Sequence, residues 1–293
     1  MTAGVFLQTT INGFMIGGIY GLAALGLSLI WGVMKVVNLA HGTFIMLGAY
    51  MGYGMYYFFK INPLLSIVFA IPIGILSGVV IYKYLINRII EASTNELETE
   101  MMTLLFTFGI SIIIYGSALN IWGSDLRGVP TLMPTINLMG MVIPSARFIA
   151  FLSALILGLI LYFLLKKTYL GKAIRAVTQR REYVMLNGIN PVKIFQWAFS
   201  IGLVYAFLAG VVISLTYPIT PIMGVNYLLK CFTVVVLGGL GNPVGAFIGG
   251  LLLGLAESYT TLFATYALSP AVAFITLILI LILRPSGILG TLK

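Results

Sequence analysis

Residues 227–256 read YLLKCFTVVVLGGLGNPVGAFIGGLLLGLA. The run is longer than the roughly 20 apolar residues that one membrane helix needs. It is interrupted by Gly238-Gly239-Leu240-Gly241-Asn242-Pro243. Consecutive glycines followed by Asn-Pro break a helix rather than line one face of it, because proline lacks the amide hydrogen and glycine carries the largest backbone entropy. Two readings follow: one long span, or two half-helices that enter from one side of a membrane and return to it. The choice fixes the side on which everything downstream lies, so the charges elsewhere in the chain have to decide it.

Other apolar windows fall at about 11–34, 42–59, 63–86, 102–122, 147–165, 194–217 and 267–283. Of the 293 residues 60% are hydrophobic and 8% charged, where a soluble domain carries about 25% charge. A water-soluble fold is excluded. Eight helices of about 20 residues would occupy roughly 160 positions, so one transmembrane domain over residues 1–293 leaves no room for a soluble one. The expected fold is all-α and polytopic, with about eight hydrophobic helices or helix pairs, some of them broken. Met1 to Gln8 places no Lys or Arg ahead of an apolar run too long for a cleaved signal, and reads as the start of a retained helix.

The net charge of +9 would suggest nucleic acid in a soluble protein, but in a lipid-embedded chain it reads as topology, and no nucleic-acid partner is expected. The segment from Lys166 to Lys193 holds Lys166, Lys167, Lys172, Arg175, Arg180, Arg181 and Lys193 against Glu182 alone. Basic loops stay in the cytoplasm, so this is the strongest anchor. Counting windows backwards puts Lys83, Arg88 and Lys35 inside, and Arg127 and the N-terminus outside. Counting forwards, the hairpin reading of 227–256 places 12 basic residues inside and 4 outside, against 10 and 6 for a single span. The hairpin is preferred.

A second break lies at Asn38-Leu39-Ala40-His41-Gly42. Gly42-x-Phe44-Ile45 and Gly245-x-Phe247-Ile248 share a small pattern, each shortly after an Asn, and this points to an inverted repeat relating two halves of the chain. In transporters, discontinuous helices expose backbone N–H and C=O groups that hold a polar solute. Asn38, His41, Gly42, Gly238, Gly239, Gly241, Asn242 and Pro243 are therefore the candidates for a solute path. For Asn38 and His41 an alternative stands beside it: they hydrogen-bond the freed backbone of a tight interhelical turn. The remaining glycines, such as Gly17-Gly18, Gly21 and Gly249-Gly250-x-x-x-Gly254, read as helix packing. Glu257 is either an intramembrane proton relay or a hydrated carboxylate at a helix end. Tyr50, Tyr53, Tyr56, Tyr57, Phe58 and Phe59 read as an interfacial belt.

Within the basic segment, Lys172 to Leu186 fits a short amphipathic helix with Ile174, Val177, Val184 and Met185 on or near one face, stopped by Gly188 and Pro191. Such a helix lies on anionic headgroups or docks a cytoplasmic partner. Enzymatic readings lack support: the chain carries no phosphate loop, no H-E-x-x-H and no G-x-S-x-G. One cysteine, Cys231, and one histidine, His41, leave no disulfide and no paired-ligand metal site. No cofactor is implied, and any ATP that drives transport must bind another chain.

Three blocks carry a resemblance to a known family. The stretch from Tyr20 through Gly32, YGLAALGLSLIWG, followed by Val37-Asn38-Leu39-Ala40-His41-Gly42, resembles the start of the LivH-type permeases of branched-chain amino acid ABC transporters. Residues 237–246, LGGLGNPVGA, and 283–290, LRPSGILG, are similar to the same family. The resemblance implies a multi-pass subunit of the cytoplasmic membrane working by alternating access. It also implies a second related permease, two cytoplasmic ATPase subunits, an extracytoplasmic solute-binding protein that sets most of the selectivity, and a bilayer around the pair. The solute would be a branched-chain or other neutral amino acid, with urea or a short amide as the alternative within the family. ABC importers offer the ATPase a coupling helix that often carries E-A-A-x-x-x-G. Here Glu182 and Gly188 keep that spacing without the two alanines. Gly171, Arg175, Arg180, Arg181, Glu182 and Gly188 are accordingly the coupling candidates. Two competing expectations are a proton-coupled carrier acting alone through Glu257 and His41, and an intramembrane hydrolase built on His41.

Overall fold

A computed structural model describes residues 3–130, 134–138, 141–179, 181–263, 268–284 and 286–290. The described helices are α1 (Ala3–Met34), α2 (His41–Phe59), α3 (Ile67–Ile81), α4 (Asn87–Ala92), α5 (Glu96–Trp122) and α6 (Ser145–Lys167). They continue with α7 (Tyr169–Gln179), α8 (Arg181–Leu186), α9 (Pro191–Ile213), α10 (Met223–Gly238), α11 (Pro243–Phe263) and α12 (Ser269–Leu283). A 3-10 turn at Pro63–Ser66 leads into α3 and a π turn at Tyr82–Ile86 joins α3 to α4, so Pro63–Ala92 forms one rod. A two-stranded antiparallel hairpin, β1 (Thr135–Leu138) with β2 (Met141–Pro144), lies between α5 and α6. Among the described residues six helical runs are long and apolar enough to cross a membrane; α10 and the last helix are shorter.

Each apolar window is a helix except 227–256, which splits into α10 and α11 at the glycines read as a break. Gly239 and Gly241 take φ of 106° and 80°, conformations that L side chains rarely adopt, and this is how the chain reverses in four residues. The returning chain is pinned there: Ile288 N–H donates to Leu237 O at 2.9 Å and Leu289 N–H to Gly238 O at 3.1 Å. The reversal therefore sits at the same end of the bundle as the residues that follow α12. At the opposite end Arg127 and Ile219 exchange backbone hydrogen bonds of 3.0 and 2.7 Å, and Gln8 Nε2 donates to Val142 O at 3.1 Å. The fold reverses at the glycines as the hairpin reading expects, but not as two half-helices: α11, with 21 residues, is long enough to cross a membrane, α10 is the shorter arm, and the turn lies at the end of the bundle.

Helices that are apolar all round belong at the centre of a membrane bundle, and α1 and α9 do. In their most apolar stretches 89% and 83% of residues are buried, against 17% for α5 and for α6, which line the outside. Glycines let the central backbones touch: Gly17 and Gly21 of α1 lie directly on Gly254 and Gly250 of α11, the small-residue packing that substitutes for hydrophobic drive between membrane helices. The aromatic belt needs one correction. Tyr57, Phe58 and Phe59 are exposed at the end of α2, but Tyr50 is buried and stacks on Trp122 at 4.3 Å, because two turns earlier α2 already lies inside the bundle.

Candidate functional site: two helix breaks and a charged pair on the helix between them

The first break does not lie at the end of the bundle. His41, the first residue of α2, places Nε2 2.9 Å from the carbonyl of Ala23. Since a carbonyl can only accept, Nε2 carries the proton, and in the neutral ring Nδ1 is then a bare acceptor. Ala23 precedes the end of α1 by about 11 residues, or about 16 Å of helix, so the connection folds back into the bundle before α2 begins. Asn38 Oδ1 accepts from Ala40 N–H at 3.1 Å, and Leu39 N–H donates to Thr107 Oγ1 at 3.1 Å. Backbone freed by the break is thus satisfied by side chains, as one of the two sequence readings holds. Yet Asn38 and His41 are both buried, and among the described residues Asn38 Nδ2 and His41 Nδ1 have no partner. Polar atoms left over at such depth are uncommon. Gly42 packs against the carbonyl of Gly224 and the side chain of Leu228, at the start of α10.

The second break forms the other end of α10. Asn242 Oδ1 accepts from Gly245 N–H at 3.1 Å, capping α11, and Asn242 Nδ2 donates to Leu289 O at 3.0 Å. Gly238 lies on Gly245, Gly239 on Gly290 and Gly241 on Gly32 of α1. Beside the turn is a cavity of about 890 Å³ between α1, α6, α7 and α11. Gly241, Asn242 and Pro243 line it together with Arg175 and Thr178 of α7. Part of the solute-path set and one coupling candidate therefore share one cavity. Asn38, His41 and Gly42 do not line it.

The helix bracketed by the two breaks carries a residue that sequence reasoning passed over. Lys230, midway along α10, contacts both carboxylate oxygens of Glu257 on α11 at 3.0 Å, the one ion pair among the described residues. Tyr20 of α1 donates to Glu257 Oε2 at 2.7 Å, and Lys230 Nζ stands 2.5 Å from the Tyr20 hydroxyl and 4.2 Å from its ring centroid. Glu257 is therefore neither at a helix end nor hydrated: its side chain is 6% exposed, that of Lys230 16%. Removing one partner of such a pair strands a charge, at a cost of about 3–5 kcal/mol. Register explains why they meet. Gly238 faces Gly245 and Val234 faces Gly249 across the hairpin, which leaves Glu257 about one turn beyond Lys230. Helical side chains tilt toward their own N-terminus; in antiparallel helices the lysine and the carboxylate therefore lean toward each other. A charge inside each arm of a sequence hairpin, at comparable distances from its turn, was the available signal. His41 and Glu257, joined in the carrier expectation, do not meet.

The coupling segment lies across the cavity from the turn. On α7, Gly171, Ala173, Ile174 and Val177 are buried against α1, α6 and α9, while Lys172, Arg175, Thr178 and Gln179 are exposed. Thr168 starts the helix, accepting from Gly171 N–H through Oγ1 and from Lys172 N–H through its carbonyl, both at 3.1 Å. Arg175 Nη1 donates to Leu165 O at the end of α6. Of the helix expected over 172–186, residues 172–179 and 181–186 are helical, and the expected apolar face is kept at Ile174, Val177 and Val184, which are buried, but not at Met185, which is exposed. Arg180 and the side chains of Arg181 and Glu182 lie outside the described residues. Gly188 ends α8 with φ of 74°, and Asn190 caps α9 by accepting from Val192 N–H at 3.0 Å, ahead of Pro191 at the first helical position.

This arrangement matches proteins of known type along its whole length. The chain is 30% identical to the high-affinity branched-chain amino acid transport system permease protein BraD of Pseudomonas aeruginosa, over 97% of this chain and 96% of that one. It is 29% identical to the corresponding permease protein LivH of Escherichia coli, with the same coverage. Among solved structures it resembles PsaBC from Streptococcus pneumoniae in complex with Fab, with a TM-score of 0.50, 12% identity, and 94% and 92% of the two chains covered; this likeness concerns the fold alone. Residues 9–283 match the family model described as the permease component of branched-chain amino acid transport systems. A multi-pass helical bundle broken at 238–243, with the family's sequence running through both breaks and both arms of the hairpin, leaves one assignment: the chain belongs to the branched-chain amino acid transport permease family.

Proposed function

We propose that this chain is a membrane-spanning subunit of an ABC importer in the cytoplasmic membrane, passing branched-chain or other neutral amino acids by alternating access. A second related permease, two cytoplasmic ATPase subunits and an external solute-binding protein complete the assembly. Membership of a family whose relatives are branched-chain amino acid permease proteins along nearly the full chain is the observation that carries the reading. The amphipathic α7 supports its coupling half. One face is sunk into the bundle and the other presents Lys172 and Arg175 within the basic segment 166–193, which the positive-inside rule assigns to the cytoplasm. A displacement of α7 reaches α1, on which it packs, and α1 bears on the reversal through Gly32 and Gly241. The rigid-body route from ATPase to α10 is therefore a chain of packed helices, closed at its last step by backbone on backbone. Asn38, His41 and Gly42 at one end of α10, and Gly238 to Pro243 at the other, bound the solute path in this reading, with α10 as its wall.

Charge reversal tests the coupling. Arg175→Glu, Arg180→Glu and Arg181→Glu together, in a complex reconstituted with ATPases and binding protein, lower ATP-driven leucine uptake at least tenfold and release the ATPase on co-purification, while the chain keeps its thermal unfolding midpoint. Uptake at the wild-type rate overturns the docking assignment. Gradient-driven uptake by this chain alone overturns the importer reading.

A further inference from the structure

We propose that Lys230 and Glu257 are the point at which the permease reads a zwitterionic solute, the carboxylate of an α-amino acid replacing Glu257 on Lys230 while its ammonium takes the Glu257 carboxylate. The inference rests on the importer reading above and adds to it the chemical groups that hold the solute. Four observations support it. First, the pair lies on the helix that both breaks bracket, with Gly42 packed on Gly224 at its start and the reversal at its end. Second, Lys230 is reachable. Val225, Asn226 and Leu229 leave that side of α10 exposed, Asn226 precedes Lys230 by one turn on the same face, and the lysine, though mostly covered, keeps 16% of its side chain open. Third, the pair is oriented before any solute arrives. Tyr20 holds Glu257 Oε2 through its hydroxyl and lies under the Lys230 ammonium with its ring, so each charge keeps a neighbour when the other is displaced. Fourth, ionisable side chains at membrane depth are rare and mark solute and ion paths.

The exchange conserves charge. One internal ion pair becomes two ion pairs with the solute, no proton moves, and no charge is left alone in the low-dielectric interior. A solute lacking either charged group would strand Lys230 or Glu257, so the pair selects amino acids over simple amides or carboxylates of the same shape. The aliphatic side chain of the solute would lie along Val225 and Leu229, the exposed apolar positions of the same helix.

An apolar double replacement separates a solute site from a structural bridge, because exchanging a whole buried pair for hydrophobic residues of similar volume is often neutral for stability. Lys230→Met with Glu257→Leu, in the full complex in proteoliposomes, is expected to leave the thermal midpoint within about 4 °C of wild type and to lower ATP-driven leucine uptake at least tenfold. The swap Lys230→Glu with Glu257→Lys keeps an ion pair, and with it the fold, but presents reversed polarity to the solute; uptake falls at least tenfold here too. A purely structural bridge is restored by the swap. Uptake within threefold of wild type in either folded double variant overturns the assignment while leaving the importer reading intact. A wild-type complex that takes up no leucine with ATP present sinks both.

Discussion

The two helix breaks have the same local signature, an Asn within a few residues of glycine between apolar runs, and the fold uses them in opposite ways. At 35–40 the chain turns back into the bundle, and Asn38 and His41 are buried where the freed backbone must find every partner internally. At 239–242 it turns at the end of the bundle, with two glycines at positive φ, a half-exposed Asn242 and a cavity alongside. Depth separates them. Inside, satisfaction comes from side chains that leave a few polar atoms over, the kind of surface on which a solute can rest. At the end, two glycines at positive φ and hydrogen bonds from the returning C-terminal segment fix the turn as a corner packed on α1.

The difference can be broken most severely at the inner break. A Cβ at Gly42 would run into the carbonyl of Gly224 and come within 2.8 Å of Leu228 Cβ. Backbone of a neighbouring helix cannot step aside as a side chain does. Gly42→Val is expected to cost at least about 3 kcal/mol, read as loss of monodisperse protein or a collapse of the thermal midpoint. An unchanged midpoint would mean that the start of α2 is not held against α10. The outer break answers more mildly. Gly239→Ala forces a side chain to φ of 106° and brings it within 2.6 Å of Gly290 N. The strain costs about 1–3 kcal/mol, and the C-terminal segment at 286–290 can move away to relieve the contact. Faster amide exchange at Ile288 and Leu289, whose hydrogen bonds run to Leu237 and Gly238, would accompany it. Protection there that stays at the wild-type level would detach the segment from the corner.

Most of this architecture is legible in the sequence because lipid leaves few choices: apolar runs must be helices, and the basic residues between them set their order across the membrane. The reversal at Gly238 to Pro243 is written in residues whose backbone chemistry admits little else. Other features are not local and were not legible. The inward fold at Asn38 depends on where α2 meets Ala23, about 11 residues back along α1, a contact with no sequence period. The exposure of Met185 beside a buried Val184 follows from packing against the bundle, which leaves no mark in the sequence. Lys230 and Glu257 were each visible as charges in apolar arms, but their pairing needed the hairpin register. Glu257 read alone stands between a proton relay and a hydrated helix end, because nothing near it in sequence opposes its charge.

The finest test applies one substitution to both breaks. Asn242→Ala removes the acceptor for Gly245 N–H and the donor to Leu289 O. The turn is half-exposed, so the freed groups find other partners, and the loss is that of an ordinary helix cap, about 1 kcal/mol. Asn38→Ala removes a single hydrogen bond, to Ala40 N–H, and strands that amide inside the bundle at about 1–3 kcal/mol. Loss of the already unpartnered Nδ2 offsets part of this, but the truncation also opens a cavity at a buried site. The residue that makes fewer bonds is therefore the one whose loss shifts the thermal midpoint more. Equal shifts would show that water reaches the inner break, and the contrast between a buried polar junction and an exposed corner would then rest on geometry alone.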